Sequence, residues 1–540
     1  MDELFRSSSL KAIIMKRRDF LKQSVPAAAL LPAIVDGYSV KAFTGNSPLL
    51  MALMNPSIDT DHVLVIVQLS GGNDGLNTVI PKDNYGNYFN ARSNIAIPQN
   101  RILNLTGTTA TGLHPGMTGM QALFNEGKLS IVQAVGYPTP NFSHFRATDI
   151  WMSGSDASAV VNSGWAGRYL NTEYPNFPNG YPNTTMPDPL AIQIGSVTTL
   201  TLQGPAVSMG MSITDPTSFY NLINGVQDPA PNNYMGHELS YIRDVASQTN
   251  LYAIRIRDAA NAVTQQSTYP TPNPLADQLK IVARLIKGGL KTRVYMVNYG
   301  SFDTHSLQTN TTDTTTGTHN TLLTNISNAI KAFMDDCKFL GVEERVVGMT
   351  FSEFGRRIKS NSSSGTDHGA AAPMFLFGKN VMPGIVGTNP TIPSNVSVND
   401  NIPFQYDFRS VYASVLEKWF CVDTTTLQTI LFRNFQSLDI VKSVGCSNNP
   451  DPGAGDELVT IYPNPFVQNV SIKFKTSGGH TLIQVIDTLG RVLKTPVDSD
   501  YTAGTYEVSY DGGALPTGVY YVRLQNGSTQ QVKPMLKIRG

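Results

Sequence analysis

Two of the chain's eight histidines stand beside aspartates in loops of small residues: Asp367 and His368 in "SSSGTDHGAAAPMFLFG", and Asp303 and His305 in "SFDTH". Three more chemistry-bearing residues sit in comparable loops. Asp74 lies in "GGNDG", Glu353 in "FSEFG", and Ser143 precedes His144 in "NFSHF". Carboxylates and imidazoles are hard-to-borderline donors, suited to zinc, manganese, magnesium or calcium according to their number. Two neighbouring divalent ions clamp the attacking and leaving oxygens of a phosphoryl transfer, and a serine at such a site is a nucleophile activated by coordination. The expected metal ligands are therefore Asp74, Asp303, His305, Glu353, Asp367 and His368, with one or two ions, and Ser143 is the expected catalytic residue. Each has a plainer alternative. Asp74 and the Asp367–His368 pair suit turn chemistry, Ser143 suits a helix N-cap, and Asp303 with His305 suits a cap. Glu353 suits an ion pair with Arg356 or Arg357. His114 reads as a loop hydrogen-bonder and His319, in a threonine-rich stretch, as exposed.

What must position these residues is a series of strands. "HVLVIVQLS" is a continuous apolar run rich in β-branched residues, the pattern of a strand buried on both faces. "KLSIVQAVG", "TRVYMVNYG" and "RVVGMTFSEFG" repeat the form. Helical patterns intervene: "PLADQLKIVARLIKGG", with apolar Leu275, Leu279, Val282, Leu285 and Ile286, then "LLTNISNAIKAFMDDCKFLG" and "DFRSVYASVLEKWF". Strands alternating with helices predict an α/β domain with a mostly parallel sheet over residues 60–445. In such sheets the site lies beyond the carboxyl ends of the strands. Asp74, Ser143, Asp303, His305 and Glu353 all follow predicted strands, so one sheet edge gathers them, and Asp367 and His368 reach it by folding back before "APMFLFG".

The totals limit the alternatives. Lysine plus arginine equals aspartate plus glutamate, 40 against 40, so no basic excess points to a nucleic-acid partner. A length of 540 residues predicts two folded units with flanking segments. The three cysteines, Cys337, Cys421 and Cys446, form no CxxC or Cys/His cluster, which argues against a structural zinc knuckle. Three unpaired thiols are the preferred reading, and a Cys421–Cys446 pair in an oxidising compartment is the alternative.

Both ends read as addresses. "MKRRDFLKQSVPAAALLPAIV" starts at Met15 with a basic cluster and a short apolar run interrupted by Pro26 and Pro32. The run is too short for a membrane helix, which needs about 20 apolar residues, and it reads as an export signal over residues 1–42. "RRDFLK" resembles the twin-arginine signal, which implies the twin-arginine translocase as partner. At the other end, "SNNPDPGAGDE" predicts a linker at 446–457. Short alternating strands beyond it ("VSIKFK", "TLIQVID", "TYEVSY", "VYYVRL") predict a small β-sandwich over 458–540. "IYPNPF", "DTLGRVL" and "LPTGVYYVRL" there resemble the C-terminal sorting domain of type IX secretion substrates of Bacteroidetes. That resemblance implies the type IX machinery as partner, and passage through the periplasm to the cell surface or exterior.

The core has its own resemblance. The ordered motifs "QLSGGNDGLNTVIP", "PNFSHFRATDIWMSG", "GWAGRYL", "SFDTHSLQ", "SEFGRRIKSNSSSGTDHG" and "DFRSVYASVLEKWF" resemble the bacterial family called domain of unknown function 1501, which is grouped with the alkaline phosphatase and sulfatase superfamily. The resemblance implies a doubly wound α/β core and one or two divalent ions. By position, Asp74 is the first-strand ligand, Ser143 the nucleophile, Asp303 and His305 serve one ion, and Asp367 and His368 the other. The chain departs from the pattern in two ways. No histidine follows His368 within the core, where two-ion members supply one, so Glu353 or His144 substitutes or a single ion binds. Asp74 also sits past a "GGN" insertion. The expected function is an exported metal-dependent hydrolase of phosphate or sulfate esters. The alternatives are a non-catalytic surface protein that keeps the fold, and an accessory or glycan-binding protein.

Overall fold

In a computed structural model, the chain is described over residues 61–216, 251–446 and 456–538, apart from positions 463, 477, 489, 502, 503 and 528, and at two short strands, Ile34–Val35 and Tyr38–Ser39. The basic cluster of the expected export signal and nearly all of the expected linker lie outside the described residues. The described chain divides into two compact units, the first ending at Gly445 and the second beginning at Cys446 in sequence.

The first unit is built on a nine-stranded sheet. Its strands are β1 (Val63–Leu69), β2 (Leu129–Gly136), β3 (Ala191–Ile194), β4 (Gly210–Ile213), β5 (Val294–Tyr299), β6 (Val346–Phe351), β9 (Ala372–Gly378), β10 (Gly384–Val386) and β11 (Tyr406–Asp407). A small hairpin, β7 (Arg356–Ser360) with β8 (Thr366–His368), lies between β6 and β9 in sequence. The sheet order is β10-β2-β9-β6-β1-β5-β3-β4, with β11 beside β2. All pairs are parallel except the two made by β9, which runs antiparallel to both β6 and β2.

Alternation along β1 explains the layers. Val63, Val65, Val67 and Leu69 enter one apolar core, while Leu64 and Ile66 enter the other, because successive side chains of a strand point to opposite faces. The predicted run of unbroken hydrophobicity is therefore a strand covered on both sides. The helices that supply cover include α1 (His144–Ser153), α2 (Trp165–Glu173), α3 (Pro274–Lys287), α4 (Thr318–Phe339) and α5 (Phe408–Ser414), which continues as a π turn over Val415–Trp419. Helices α3 and α4 face the first core, and α1, α2 and α5 the second. Helix α3 shows why the local sequence folds so. The Asn273 side chain accepts from the amides of Leu275 and Ala276, Pro274 fills the first turn, and Leu275, Leu279, Val282, Leu285 and Ile286 are buried.

Two expectations change. His319 is buried in α4, with its Nε2 3.1 Å from Asn73 Oδ1, and Thr315 of the threonine-rich stretch before it is buried as well. Cys337 is a free buried thiol, but Cys421 and Cys446 are disulfide-bonded, which corrects the preference for three unpaired thiols.

The second unit is the expected all-β sandwich. A sheet of β12 (Glu457–Tyr462), β13 (Asn469–Thr476) and β16 (Gly504–Asp511) pairs in the order β12-β13-β16. The other sheet holds β14 (Gly479–Ile486), β15 (Val492–Tyr501), β17 (Gly518–Asn526) and β18 (Thr529–Lys537), ordered β15-β14-β17-β18. Every pairing is antiparallel, and Ile472, Phe474, Ile483, Val485, Val522 and Leu524 fill the core. Among the described residues, no helix is long and apolar enough to cross a membrane.

Candidate metal centre

Topology brings the loop residues to one edge. Strands β1, β2, β5 and β6 run in one direction, so the loops that follow them leave from the same side of the sheet. Strand β9 runs the other way, so the segment entering it, with Asp367 and His368 on β8, returns to that side. The approach is close. Gly71, at φ +120°, lies where an added Cβ would come within 2.4 Å of the Asp303 amide nitrogen, which only glycine permits.

Three imidazoles meet Asp303 at this edge. His144 Nε2 is 3.4 Å from Asp303 Oδ2, and His305 Nε2 and His368 Nε2 are each 3.2 Å from Asp303 Oδ1. His305 Nε2 and His368 Nε2 are 2.9 Å apart. One ligand atom from each of His144, Asp303 and His368 falls within 4.8 Å of the others. The far nitrogen of each ring has an oxygen partner: His144 Nδ1 lies 2.8 Å from Glu353 Oε1, His305 Nδ1 3.1 Å from Asp367 Oδ1, and His368 Nδ1 2.8 Å from the Phe142 carbonyl oxygen. A carbonyl or ionised carboxylate only accepts, so each Nδ1 donates to its partner, and each Nε2 is turned toward Asp303. That arrangement is what a metal-binding histidine needs, with its outer nitrogen fixed by an oxygen acceptor.

Asp303 is equally held. Arg356 is fully buried and donates through Nη2 to Asp303 Oδ1 at 2.8 Å. Its other bonds go to the carbonyl oxygens of Gly72, Thr366, Phe302 and Gly71. Partial burial pushes the Asp303 carboxyl up, but the hydrogen bonds from Arg356 and His368 and the Arg356 charge hold it at about 2. The Phe354 ring packs against both His144 and His368, at centroid distances of 4.9 and 4.5 Å. His144, Asp303 and His305 stay between a third and a half exposed, so the edge is open to solvent.

The expected site residues separate into groups. Asp303, His305 and His368 converge. Glu353 and Asp367 are adjacent to the cluster, but their oxygens face Nδ1 atoms. Glu353 Oε1 also accepts from the Gly71 amide, at 2.7 Å, and Asp367 Oδ1 also accepts from Asn361 Nδ2, at 3.2 Å. The plainer reading of Glu353 as a partner of Arg356 or Arg357 gives way to His144, because Arg356 is taken by Asp303. Asp74 is not brought into the cluster. Its carboxylate accepts from Arg92 Nη1 at 2.8 and 2.7 Å and from Gln308 Nε2 at 2.6 Å, in full burial. Burial raises the Asp74 carboxyl, yet the charge of Arg92 outweighs it and leaves the carboxyl below its usual range. Ser143 stands at the N-cap of α1, but its side chain makes no capping bond and it is exposed. Its amide instead donates to Asn141 Oδ1. His144, named from sequence only as a substitute for the absent late histidine, stands in the cluster, and Arg356 was missed. Both stand inside the quoted motifs, His144 directly after Ser143 and Arg356 three residues after Glu353.

Residues 61–431 match the family described as "Protein of unknown function (DUF1501)", and the chain belongs to that family. Residues 460–538 match the secretion system C-terminal sorting domain, which marks the chain for secretion to the cell surface or beyond. No curated protein matches the chain. Among solved structures, it is similar to an alkaline phosphatase superfamily protein from Vibrio parahaemolyticus, at 9% identity and a TM-score of 0.29, covering 89% of this chain and 84% of that one. It is also similar to the PsFucS1 sulfatase from Pseudoalteromonas sp., at 10% identity and a TM-score of 0.31, covering 83% and 84%. The likeness to PorZ, a surface component of the type IX secretion system of Porphyromonas gingivalis, has 20% identity and a TM-score of 0.13, and it spans 19% of this chain and only 14% of PorZ.

Proposed function

We propose that the chain is an exported, metal-dependent hydrolase of phosphate or sulfate esters, working at the edge where His144, His305, His368 and Asp303 meet. The observation that carries this reading is the set of three Nε2 atoms that face one carboxylate on an open edge. Asp303, His305 and His368 hold the ion together with His144, while Glu353 and Asp367 orient imidazoles instead of ligating. A divalent ion bound there supplies Lewis-acid stabilisation of an ester's oxygens. The chain's own residues fix the imidazole orientations through Nδ1, hold Asp303 ionised and leave the face accessible. Ser143 is the candidate nucleophile, because its hydroxyl is exposed, is not spent on a helix cap, and stands one residue from His144. The ester class follows from the motif resemblance to the alkaline phosphatase and sulfatase superfamily.

Export begins with the twin-arginine-like signal, passes through the periplasm and ends with the type IX machinery acting on the sorting domain. A second reading, a non-catalytic surface protein on this fold, is favoured by one observation: Arg92 occupies Asp74, the residue expected to serve as first-strand ligand. Turnover of p-nitrophenyl phosphate, bis-p-nitrophenyl phosphate and p-nitrophenyl sulfate by the purified chain, before and after chelation, decides between the two. Chelator-sensitive hydrolysis that is lost in Ser143→Ala supports the hydrolase. A metal-loaded chain inert toward all three leaves the non-catalytic reading.

A further inference from the structure

We infer that this edge takes one ion of the zinc class through His144, His305, His368 and Asp303, and that it holds neither an ion pair nor a magnesium- or calcium-type site. The inference rests on the metal reading of the preceding section and fixes its count and chemistry.

The donors decide the class. Three imidazoles, whose Nδ1 atoms face Glu353, Asp367 and the Phe142 carbonyl, turn their Nε2 atoms toward the one Asp303 carboxylate. Magnesium and calcium take oxygen ligands almost exclusively, whereas imidazole suits zinc and its transition-metal neighbours. Only one carboxylate converges, and the buried Arg356 already offsets its charge, which weakens the site for a hard cation further. His305 Nε2 and His368 Nε2 stand 2.9 Å apart with an Asp303 oxygen 3.2 Å from each. Two nitrogen lone pairs and a carboxylate oxygen at that separation repel unless a cation lies among them or a ring is protonated.

The count follows from the remaining acids. A second ion needs further carboxylates, and each one near the edge is committed: Asp74 to Arg92 and Gln308, Glu353 to the Gly71 amide and His144, Asp367 to His305 and Asn361. Among the described residues, His144, Asp303 and His368 form the group arranged to hold an ion, and His305 stands beside Asp303 and His368.

The test is equilibrium dialysis of the full exported chain against an equimolar mixture of zinc, manganese, magnesium and calcium, read by elemental analysis. One zinc per chain is the expected result, with His144→Ala losing at least about 100-fold in zinc affinity and Asp74→Asn keeping the parent stoichiometry. Cobalt absorption of the unaltered chain gives a second readout that needs no variant, and an imidazole-rich site of low coordination number yields intense visible bands. Two ions per chain, retention of magnesium or calcium over zinc, or zinc binding indifferent to His144 would overturn the inference. One zinc without ester turnover defeats the hydrolase reading and leaves this one standing, while two ions with turnover does the reverse.

Discussion

His305 and His368 face each other Nε2 to Nε2 at 2.9 Å, and the same Asp303 oxygen lies 3.2 Å from both. The two rings come from segments on either side of β6 in sequence, one in the loop after β5 and one on β8 before β9, so the contact depends on the antiparallel strand that turns the chain back. Replacing His368 by alanine removes a ligand and leaves the His305 pairing with Asp367 intact. The expected outcome is a folded chain, judged by circular dichroism, that no longer retains stoichiometric metal after gel filtration.

Glu353 tests the role of an orienting partner. Glu353→Gln keeps an oxygen for the Gly71 amide and His144 Nδ1 but removes the charge that strengthens His144 as a donor. Metal affinity is expected to fall by roughly 10–100-fold, with no loss of folded structure. Competition with a chromophoric chelator measures it, and an unchanged affinity contradicts the assignment.

Asp74 is predicted to matter for stability and not for metal. Breaking a buried ion pair by removing one partner costs about 3–5 kcal/mol, so Asp74→Asn, which leaves Arg92 with a neutral partner, unfolds at lower urea than the parent at pH 7. The folded carboxyl lies below its ordinary value, so its contribution is fully present above the unfolded value of about 3.9 and disappears as pH falls through the folded one. The stability gap between parent and variant therefore narrows below about pH 4. A gap that widens in acid contradicts the pairing.

Acid should strip the site through its histidines. Ligating imidazoles must be neutral, so protons compete with the ion for them, whereas Asp303 is held at about 2. Bound metal is expected to be released as pH falls below the histidine range while Asp303 is still ionised. Asp303→Asn should weaken binding at every pH and so move the midpoint of release to higher pH, measured by metal retention across a pH series.

The thiols offer a check on the fold. Cys337 is free and Cys421 and Cys446 are disulfide-bonded. The denatured, unreduced chain should therefore yield one titratable thiol against Ellman's reagent, and the reduced chain three. Three thiols without reduction contradict the disulfide.

Much of the scaffold was legible because its signals are local. The apolar runs ending at Leu69, Gly136, Tyr299 and Phe351 announce strands buried on both faces, and the carboxyl-end rule then places Asp303, His305 and Glu353 on one edge. Ligation was harder to read because it depends on which nitrogen or oxygen faces inward. Asp74 has the right position and residue type, but Arg92, 18 residues away, claims it, and no local pattern reveals that. His144 was overshadowed by the serine before it. Asp367 and Glu353 were rightly placed near the cluster, but whether they ligate or orient turns on a few ångströms that spacing does not encode. His319 was misjudged because polar neighbours in sequence say little about where a helix turns one side chain.

The most direct test is anomalous diffraction from crystals of the zinc-loaded chain, recorded on both sides of the zinc absorption edge. The account predicts one peak, at about 2.0–2.2 Å from His144 Nε2, His305 Nε2, His368 Nε2 and an Asp303 oxygen, with Asp74 still on Arg92. A peak elsewhere, two peaks at this edge, or an ion bound by Asp74 or Glu353 would contradict it.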